Sequence, residues 1–152
     1  MTRRRLAAIV VCGIAFAGAL AYLHDPPWID RITSGLRDWE ERPPGTRYRW
    51  TNGHAAFFVP SDAASITLPL RAGLPSPDGH PVSVTVSVDD RWLASLELVD
   101  PEAWVRPTLP LPRSHGWRRH RLVEIRVSRT LASLNLGVQL GEVEMQPRGA
   151  GR

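Results

Sequence analysis

The stretch "PVSVTVSVDDRWLASLEL", residues 81–98, carries the clearest structural pattern in this chain of 152 residues. Valine alternates with serine or threonine in its first half, at Val82, Val84, Val86 and Val88. Because successive side chains of a strand point to opposite faces, the pattern predicts a strand with one buried and one solvated face. Asp89-Asp90 supplies a turn, and apolar residues recur at Ala94, Leu96 and Leu98. Residues 81–98 are therefore predicted to form a β-hairpin.

Similar patterns elsewhere raise the total to about seven predicted strands. They are 55–59, 64–71, 82–88, 92–98, 104–111, 119–128 and 134–145. Gly141 breaks the alternation of the last run, which predicts a bulge. No helical pattern lies between the strands, and most of the 14 prolines fall at the joints. We therefore expect a mainly β fold, an antiparallel β-sandwich over 47–146, followed by a disordered tail at 147–152.

The segment "RYRWTNGHAAFFVP", residues 47–60, precedes the alternating strands. Thr51-Asn52-Gly53 is typical of a tight turn, because Asn and Gly both accept positive φ. We interpret the segment as a hairpin at the first edge of the sandwich. Trp50 is predicted to lie in the core, and His54 is predicted to flank the turn.

Residues 6–23, "LAAIVVCGIAFAGALAYL", contain no charged residue. A helix of eighteen residues is about 27 Å long, close to the roughly 30 Å of a bilayer's hydrocarbon core. The basic segment 1–5, with Arg3, Arg4 and Arg5, is expected to stay in the cytoplasm and the rest to be exported. The alternative is a cleaved signal peptide, residues 1–21. The all-arginine usage suggests a bacterium, so the expected location is the inner membrane, single-pass, with a periplasmic domain.

Residues 25–42 follow the apolar segment and contain regularly spaced apolar residues. Trp28, Ile32, Leu36 and Trp39 recur at intervals of four, four and three. This spacing predicts one face of an amphipathic helix lying at the membrane interface. The alternative is that this face packs on the β-domain.

The charges are unevenly distributed along the chain. Residues 24–103 carry seven arginines and twelve acidic residues, whereas 104–152 carry nine and three. The part after Leu23 is therefore nearly neutral, and nucleic acid is not an expected partner.

Sequence motifs for catalysis or for a cofactor are absent. No G-x-S-x-G elbow occurs, and the histidines show none of the spacings of a metal site. Asp89-Asp90 is explained by its turn, and Glu142 and Glu144 by a solvated strand end. Cys12, the single cysteine, lies in the apolar segment. We therefore predict a non-enzymatic protein with no metal and no cofactor.

Two features indicate partner contacts. Arginines crowd around Trp117 at Arg118, Arg119 and Arg121, and arginine binds oxyanions such as carboxylates, lipid phosphates and sugar phosphates. The alternative is a solvated strand face. Small residues recur every fourth position in the apolar segment at Gly13, Ala17 and Ala21, which lets a second transmembrane helix approach closely.

The segments "RWTNGHAAFFVP", "ITLPLRA", "VSVTVSVDDRWLASLEL" and "LGVQLGEVEM" together resemble a jelly-roll-like β-sandwich module of bacterial membrane proteins. Such modules are appended to some membrane glycosyltransferases of the cell envelope. The resemblance spans about residues 47–146. It implies a fold and contact with glycans, but no transferase activity, because the many membrane spans of those enzymes have no counterpart here.

Two functions follow as expectations. The first is a non-catalytic, membrane-anchored accessory subunit that stabilises a larger complex of membrane proteins through its helix and its periplasmic sandwich. The alternative is a module that binds a glycan or a lipid head group, linked to envelope glycosyl transfer. In that case Trp50, Trp92 or Trp104 would stack on sugar rings, which requires exposed aromatic residues in a groove.

Overall fold

The computed structural model describes residues 3–75, 79–131 and 134–149. One helix, one 3-10 turn and eleven strands are found in these ranges. They are α1 (Arg3–His24), the turn Ile29–Arg31, β1 (Thr33–Leu36), β2 (Glu40–Glu41), β3 (Arg47–Pro60), β4 (Ala63–Thr67), β5 (Leu70–Arg71), β6 (Val82–Val88), β7 (Arg91–Leu98), β8 (Thr108–Pro110), β9 (His120–Val127), β10 (Gln139–Gly141) and β11 (Glu144–Pro147).

The predicted hairpin at 81–98 is confirmed as β6 and β7. Val82 pairs with Leu98 and Val84 with Leu96, and the four valines of β6 are buried while the residues between them are half-buried. Asp89 and Asp90 both have positive φ, at 48° and 62°. Two such residues give a turn whose twist matches that of the strands it joins.

The strands form two antiparallel layers. The larger sheet has the order β5-β10-β3-β9-β6-β7, with β1 and β2 also pairing with β3, and the smaller sheet has the order β11-β4-β8. β4 and β5 are consecutive in the chain and pair with β11 and β10 respectively. The two sheets therefore continue into each other on one side of the sandwich, which is the predicted fold class.

One apolar core fills the space between the layers. Its completely buried members come from β4 to β6, from β9 and from the segment before β10. They include Ile66, Leu68, Leu70, Val84, Val86, Val123, Ile125 and Val138. All seven predicted strands contribute paired residues, although several are shorter than their sequence pattern suggested.

The predicted turn at Thr51-Asn52-Gly53 is wrong, because β3 is one strand of 14 residues. Its first half pairs with β2 and β10 and its second half with β9, so β3 joins two parts of the larger sheet. Gly53 has φ 82° at the bend. The Asn52-Gly53 pair therefore forms a bulge within the strand and does not reverse the chain direction. Trp50 is buried, as predicted.

The predicted amphipathic helix at 25–42 is also wrong. The segment contains the short 3-10 turn and the strands β1 and β2, both of which pair with β3. Leu36 packs against the main core, whereas Trp28, Ile32 and Trp39 remain exposed. Pairing with the open edge of β3 satisfies the backbone N–H and C=O groups of this segment. These hydrogen bonds stabilise the strands more than the spacing of the apolar residues favours a helix. The four side chains consequently share no helical face.

The predicted apolar helix is present as α1, and its described side chains are exposed from Arg3 to Leu23. By length and composition α1 could cross a membrane, and an N-terminal signal sequence would pass the same test. At the other end of the chain, the backbone N–H of Arg148 donates to the carbonyl of Asp62, at 2.8 Å. Residues 150–152 lie outside the described residues, and disorder of the tail at 147–152 stays a prediction.

Candidate functional site

Two adjoining depressions lie where the first half of β3 runs beside β10. Their volumes are about 270 Å³ and about 380 Å³, near the lower end of the range for ligand pockets. Both are lined by Gly141 and Glu142. We refer to the two neighbouring depressions together as the β3–β10 groove.

Aromatic side chains line both parts of the groove. Trp104 lines the smaller depression, and Trp39 and Phe58 line the larger one. The ring of Trp39 is 40% exposed, and Trp104 is half-buried. Each part of the groove therefore offers a partly accessible aromatic surface beside polar groups.

The alternation of β3 determines which side chains reach the groove. Tyr48 and Trp50 point to one face and are buried, and Arg47 and Arg49 point to the other face. The guanidinium groups of Arg47 and Arg49 lie 5.1 Å and 4.6 Å from the centre of the Trp39 ring. These cation–π contacts hold Trp39, which lies on the connection between β1 and β2.

Trp104 is fixed by a second group of residues behind the groove. Arg71 lies 4.9 Å from the centre of the Trp104 ring and 5.7 Å from that of Tyr48. The Nε atom of Arg71 donates to the Oε1 atom of Gln139, at 2.7 Å. An added Cβ at Gly141 would lie 2.9 Å from Pro69 and 3.6 Å from Trp104. Glycine at this break between β10 and β11 therefore lets Pro69 pack tightly and leaves room beside the indole.

The charged groups of the groove are largely balanced. Arg47 and Glu142 are 3.3 Å apart, and Arg106 and Glu144 are 3.9 Å apart. All four side chains are more than half exposed, so both pairs are accessible to a ligand. Burial lowers the pKa of the Arg49 guanidinium from its usual value. No ion pair of Arg49 is found among the described residues.

Tyr48 connects the back of the groove to β2. Its hydroxyl donates to the Oε2 atom of Glu40, at 3.3 Å. Burial raises the pKa of Tyr48, and the nearby Glu40 carboxylate raises it further. The phenol is therefore neutral at physiological pH and supports the aromatic residues without adding a charge.

The three tryptophans considered for sugar stacking have different positions. Trp50 is buried with Tyr48 and Leu136 in a small apolar cluster, against which Trp104 packs. Trp92 is 69% exposed on the edge strand β7, and its indole N–H donates to Ser95. Only Trp104 of the three lines the groove. Trp39, which the sequence pattern assigned to a membrane-facing helix, lines it instead.

The arginines around Trp117 contact mainly the chain itself. Arg121 is 5% exposed and binds the Asp89 carboxylate at 2.7 Å, and its contact with a partner stays a prediction. Arg119 binds the Asp25 carboxylate at 2.8 Å. Arg118 donates to the ring of His24, which is stacked on Trp117. The cluster therefore joins the segment at the start of β9 to the end of α1.

The small residues Gly13, Ala17 and Ala21 lie on one face of α1 and are exposed. Contact of this face with a second helix stays a prediction. Among residues 3–75, 79–131 and 134–149, no group of three or more His, Cys, Asp or Glu side chains is arranged to hold a metal ion.

Sequence reasoning missed most of the groove. Trp39, Arg47, Arg49, Arg106 and Glu142 come from separate segments, and only the register of β3 with β2 and β10 brings them together. One signal was available, because "RYRW" alternates charge and aromatic character over residues 47–50. That alternation indicates a strand with one charged and one apolar face.

No protein-family model matches the chain, and no curated protein matches its sequence. One solved structure with a similar arrangement of strands is a family 35 carbohydrate-binding module from an environmental isolate. Its sequence identity is 13% and its TM-score is 0.47, and the match covers 76% of this chain and 88% of that one. Another is the C-terminal domain of EclA, a sugar-binding protein, at 11% identity and a TM-score of 0.42, covering 60% and 76%.

A third is a glycoside hydrolase family 43 arabinoxylan arabinofuranohydrolase from Bacillus subtilis in complex with cellotetraose, at 10% identity and a TM-score of 0.41. The match covers 77% of this chain but 24% of the hydrolase. At these identities the likeness concerns the sandwich fold and transfers no binding residue.

Proposed function

We propose that this protein is a membrane-anchored, non-catalytic glycan-binding module whose binding site is the β3–β10 groove. The observation that carries the proposal is the composition of the groove: partly exposed Trp104 lines the smaller depression together with two exposed arginine–carboxylate pairs, and partly exposed Trp39 lines the larger one. Sugar rings combine a face of C–H groups with an edge of hydroxyls. A site for them needs aromatic surface for the face and charged hydrogen-bonding groups for the edge.

The charge of the groove favours a neutral glycan. Arg47 and Glu142 partner each other, as do Arg106 and Glu144. Each pair offers adjacent donors and acceptors, which suits neighbouring hydroxyls of one sugar ring. A strongly acidic polymer would meet the carboxylates Glu142 and Glu144 as well as the arginines, and like charges disfavour that contact.

The same pairs support binding over catalysis. Hydrolysis of a glycosidic bond ordinarily uses two carboxyl groups facing each other across the bond. In the groove, Glu142 and Glu144 each engage an arginine, and this leaves them as hydrogen-bond acceptors. The proposed role is therefore to hold a glycan near the membrane, on the outer side of an inner membrane if α1 is retained with its N-terminus in the cytoplasm. A link to envelope glycosyl transfer remains part of this proposal.

A screen of the full-length chain in detergent against an array of neutral and acidic oligosaccharides tests the proposal. We expect saturable binding to one class of neutral glycans. Trp39→Ala and Trp104→Ala should each weaken it by about tenfold, which corresponds to about 1.4 kcal/mol. The matched control is Trp92→Ala, because Trp92 is exposed on β7 away from the groove. Equal losses in all three variants would contradict the assignment of the groove.

The second candidate function is an accessory subunit of a larger membrane complex. The exposed face of Gly13, Ala17 and Ala21 on α1 favours it, because small residues let helices pack closely. Purification from native membrane in mild detergent separates the two functions. A stoichiometric partner that is lost in Gly13→Leu but kept in Val11→Leu, which changes a neighbouring exposed residue, would support the subunit.

A further inference from the structure

A basic pocket of about 320 Å³ lies at the foot of the β-domain, against the end of α1. Its lining contains four arginines, Arg91, Arg113, Arg118 and Arg121, together with His24, His115 and His120. Asp89 is the one carboxylate in this lining. The pocket is therefore far richer in positive groups than the β3–β10 groove.

The single carboxylate does not neutralise the pocket. One oxygen of Asp89 accepts from Arg121, at 2.7 Å, and the other accepts from the backbone N–H of Leu122, at 3.1 Å. Asp89 is thus occupied by a structural pair with a buried arginine. Among the described residues, Arg91 and Arg113 make no ion pair, and Arg118 bonds the ring of His24 instead of an acid. Three exposed arginines are left without a counter-charge.

An apolar groove adjoins the basic pocket along the last turns of α1. Its lining is Ala17, Leu20, Ala21, Leu23, His24 and Trp117, and its volume is about 540 Å³. His24 and Trp117 line both spaces. Trp117 is 70% exposed and is stacked on His24 with ring centres 4.3 Å apart. The basic pocket and the apolar groove thus meet at a stacked aromatic pair.

The position of the pocket matches the surface of a bilayer. The 22 residues of α1 give a helix about 33 Å long, slightly more than a hydrocarbon core of roughly 30 Å. His24, at the end of α1, would then lie at the level of the lipid head groups. Tryptophan is also enriched at that level, because its ring is apolar and its N–H is polar.

The pocket is held in this position by Asp25 and Arg119. The Nε atom of Arg119 donates to the Oδ2 atom of Asp25 at 2.8 Å, its backbone N–H donates to the same oxygen at 3.1 Å, and its Nη2 atom donates to the Asp25 carbonyl at 3.0 Å. We call these three hydrogen bonds the Asp25–Arg119 clasp. The clasp fixes the strand end that carries His120 and Arg121 beside the membrane helix.

We propose that the basic pocket binds the phosphate head group of an anionic phospholipid, with an acyl chain lying in the apolar groove of α1. The charge selects an anionic lipid, and the adjoining apolar surface selects a lipid over a soluble anion. His120, whose buried Nδ1 atom has no hydrogen-bond partner among the described residues, also lines this pocket. This site is separate from the β3–β10 groove. The basic pocket lies near Pro60 at one end of β3, and the groove lies near Arg47 at the other end.

Native mass spectrometry of the full-length chain in mixed micelles tests the proposal. The probes are phosphatidylglycerol and phosphatidylcholine with the same acyl chains. We expect the first bound lipid to be phosphatidylglycerol, with a preference of about tenfold. Equal binding of the two lipids would overturn the proposal, and so would an intact mass lacking the N-terminal helix, since the proposal rests on a retained α1.

Variants locate the site. Replacing Arg91, Arg113 and Arg118 together by Gln should abolish the preference. The control is the same change at Arg31, Arg42 and Arg126, which are exposed and lie outside the pocket; it should retain the preference. The single exposed substitution Arg113→Glu should reduce the preference even if the triple variant fails to fold. An unchanged preference in Arg113→Glu would refute the assigned pocket.

Two further arms separate this proposal from its alternatives. Inorganic phosphate that binds as tightly as the phospholipid would indicate a site for soluble anions and would overturn the lipid assignment. Trp39→Ala, in the glycan groove, should leave the lipid preference unchanged. If the chain shows the lipid preference but binds no glycan, the proposed function fails and the lipid site stands.

Discussion

Thr51→Val is expected to destabilise the β-domain, because Thr51 lies in the middle of β3, where the partner strand changes from β10 to β9. The side chain is completely buried, and its Oγ1 atom accepts a hydrogen bond from the backbone N–H of Val138, at 2.9 Å. Valine preserves the shape but leaves that N–H unsatisfied. Such a loss costs about 1–3 kcal/mol. At about 4 °C per kcal/mol for a domain of this size, a loss of about 2 kcal/mol lowers the melting temperature by roughly 8 °C.

Thermal unfolding of the full-length chain in detergent, followed by near-ultraviolet circular dichroism, measures this effect. The control is Thr85→Val on β6, where the half-buried threonine makes no side-chain hydrogen bond among the described residues. It should change the melting temperature by less than about 2 °C. If Thr51 lay in an exposed turn, both variants would be nearly neutral. Equal melting temperatures would therefore refute the bent strand.

Two further predictions concern pH. Arg119 lowers the pKa of Asp25 below its ordinary value of 3.8, so the Asp25–Arg119 clasp is fully formed above that value and is lost as the pH falls through the lowered pKa. At neutral pH, Asp25→Asn should speed hydrogen exchange at the Arg119 amide severalfold. Unchanged exchange would argue against the clasp. Burial raises the pKa of Tyr48 above its ordinary value of 10.0, so its contribution to stability is complete below about pH 10 and is lost as the pH rises through the raised pKa. Absorbance at about 295 nm should show a late-titrating phenol that Tyr48→Phe removes, and a single transition at the ordinary value would contradict this.

Strict alternation made part of the fold predictable from the sequence. In residues 81–98 the valines, the aspartate turn and the returning leucines all favour one hairpin, and this hairpin is present. Local preference and global fold agree there, so no long-range information was needed. The same holds for the seven predicted strands, whose bounds differ from those in the structure without a change of fold class.

Residues 25–60 were misinterpreted because their structure depends on distant partners. The helical spacing from Trp28 to Trp39 is real, but β1 and β2 gain more by completing the edge of β3. Asn52-Gly53 favours a turn locally. In the structure, however, the backbone N–H of Gly137 donates to the carbonyl of Thr51, and the backbone N–H of Val138 donates to its Oγ1 atom. Spacing within a segment carries no information about such contacts.

The candidate site was the least predictable feature for the same reason. Trp104 was named from the sequence, but two of its neighbours in the groove, Arg47 and Glu142, are 57 and 38 positions away in the chain. The basic cluster at 118–121 was recognised as a dense feature, whereas its contacts with His24 and Asp25 required the folded chain. Only the register of the strands brings such residues together.

Calorimetric titration of the full-length chain with a neutral oligosaccharide selected on the array tests the proposed function most directly. The account predicts saturable one-to-one binding that is lost in the double variant Trp39→Ala, Trp104→Ala and is retained in Trp92→Ala. Absence of heat with every neutral glycan, or equal binding by the double variant and the unmodified chain, would contradict the assignment of the β3–β10 groove as a glycan-binding site.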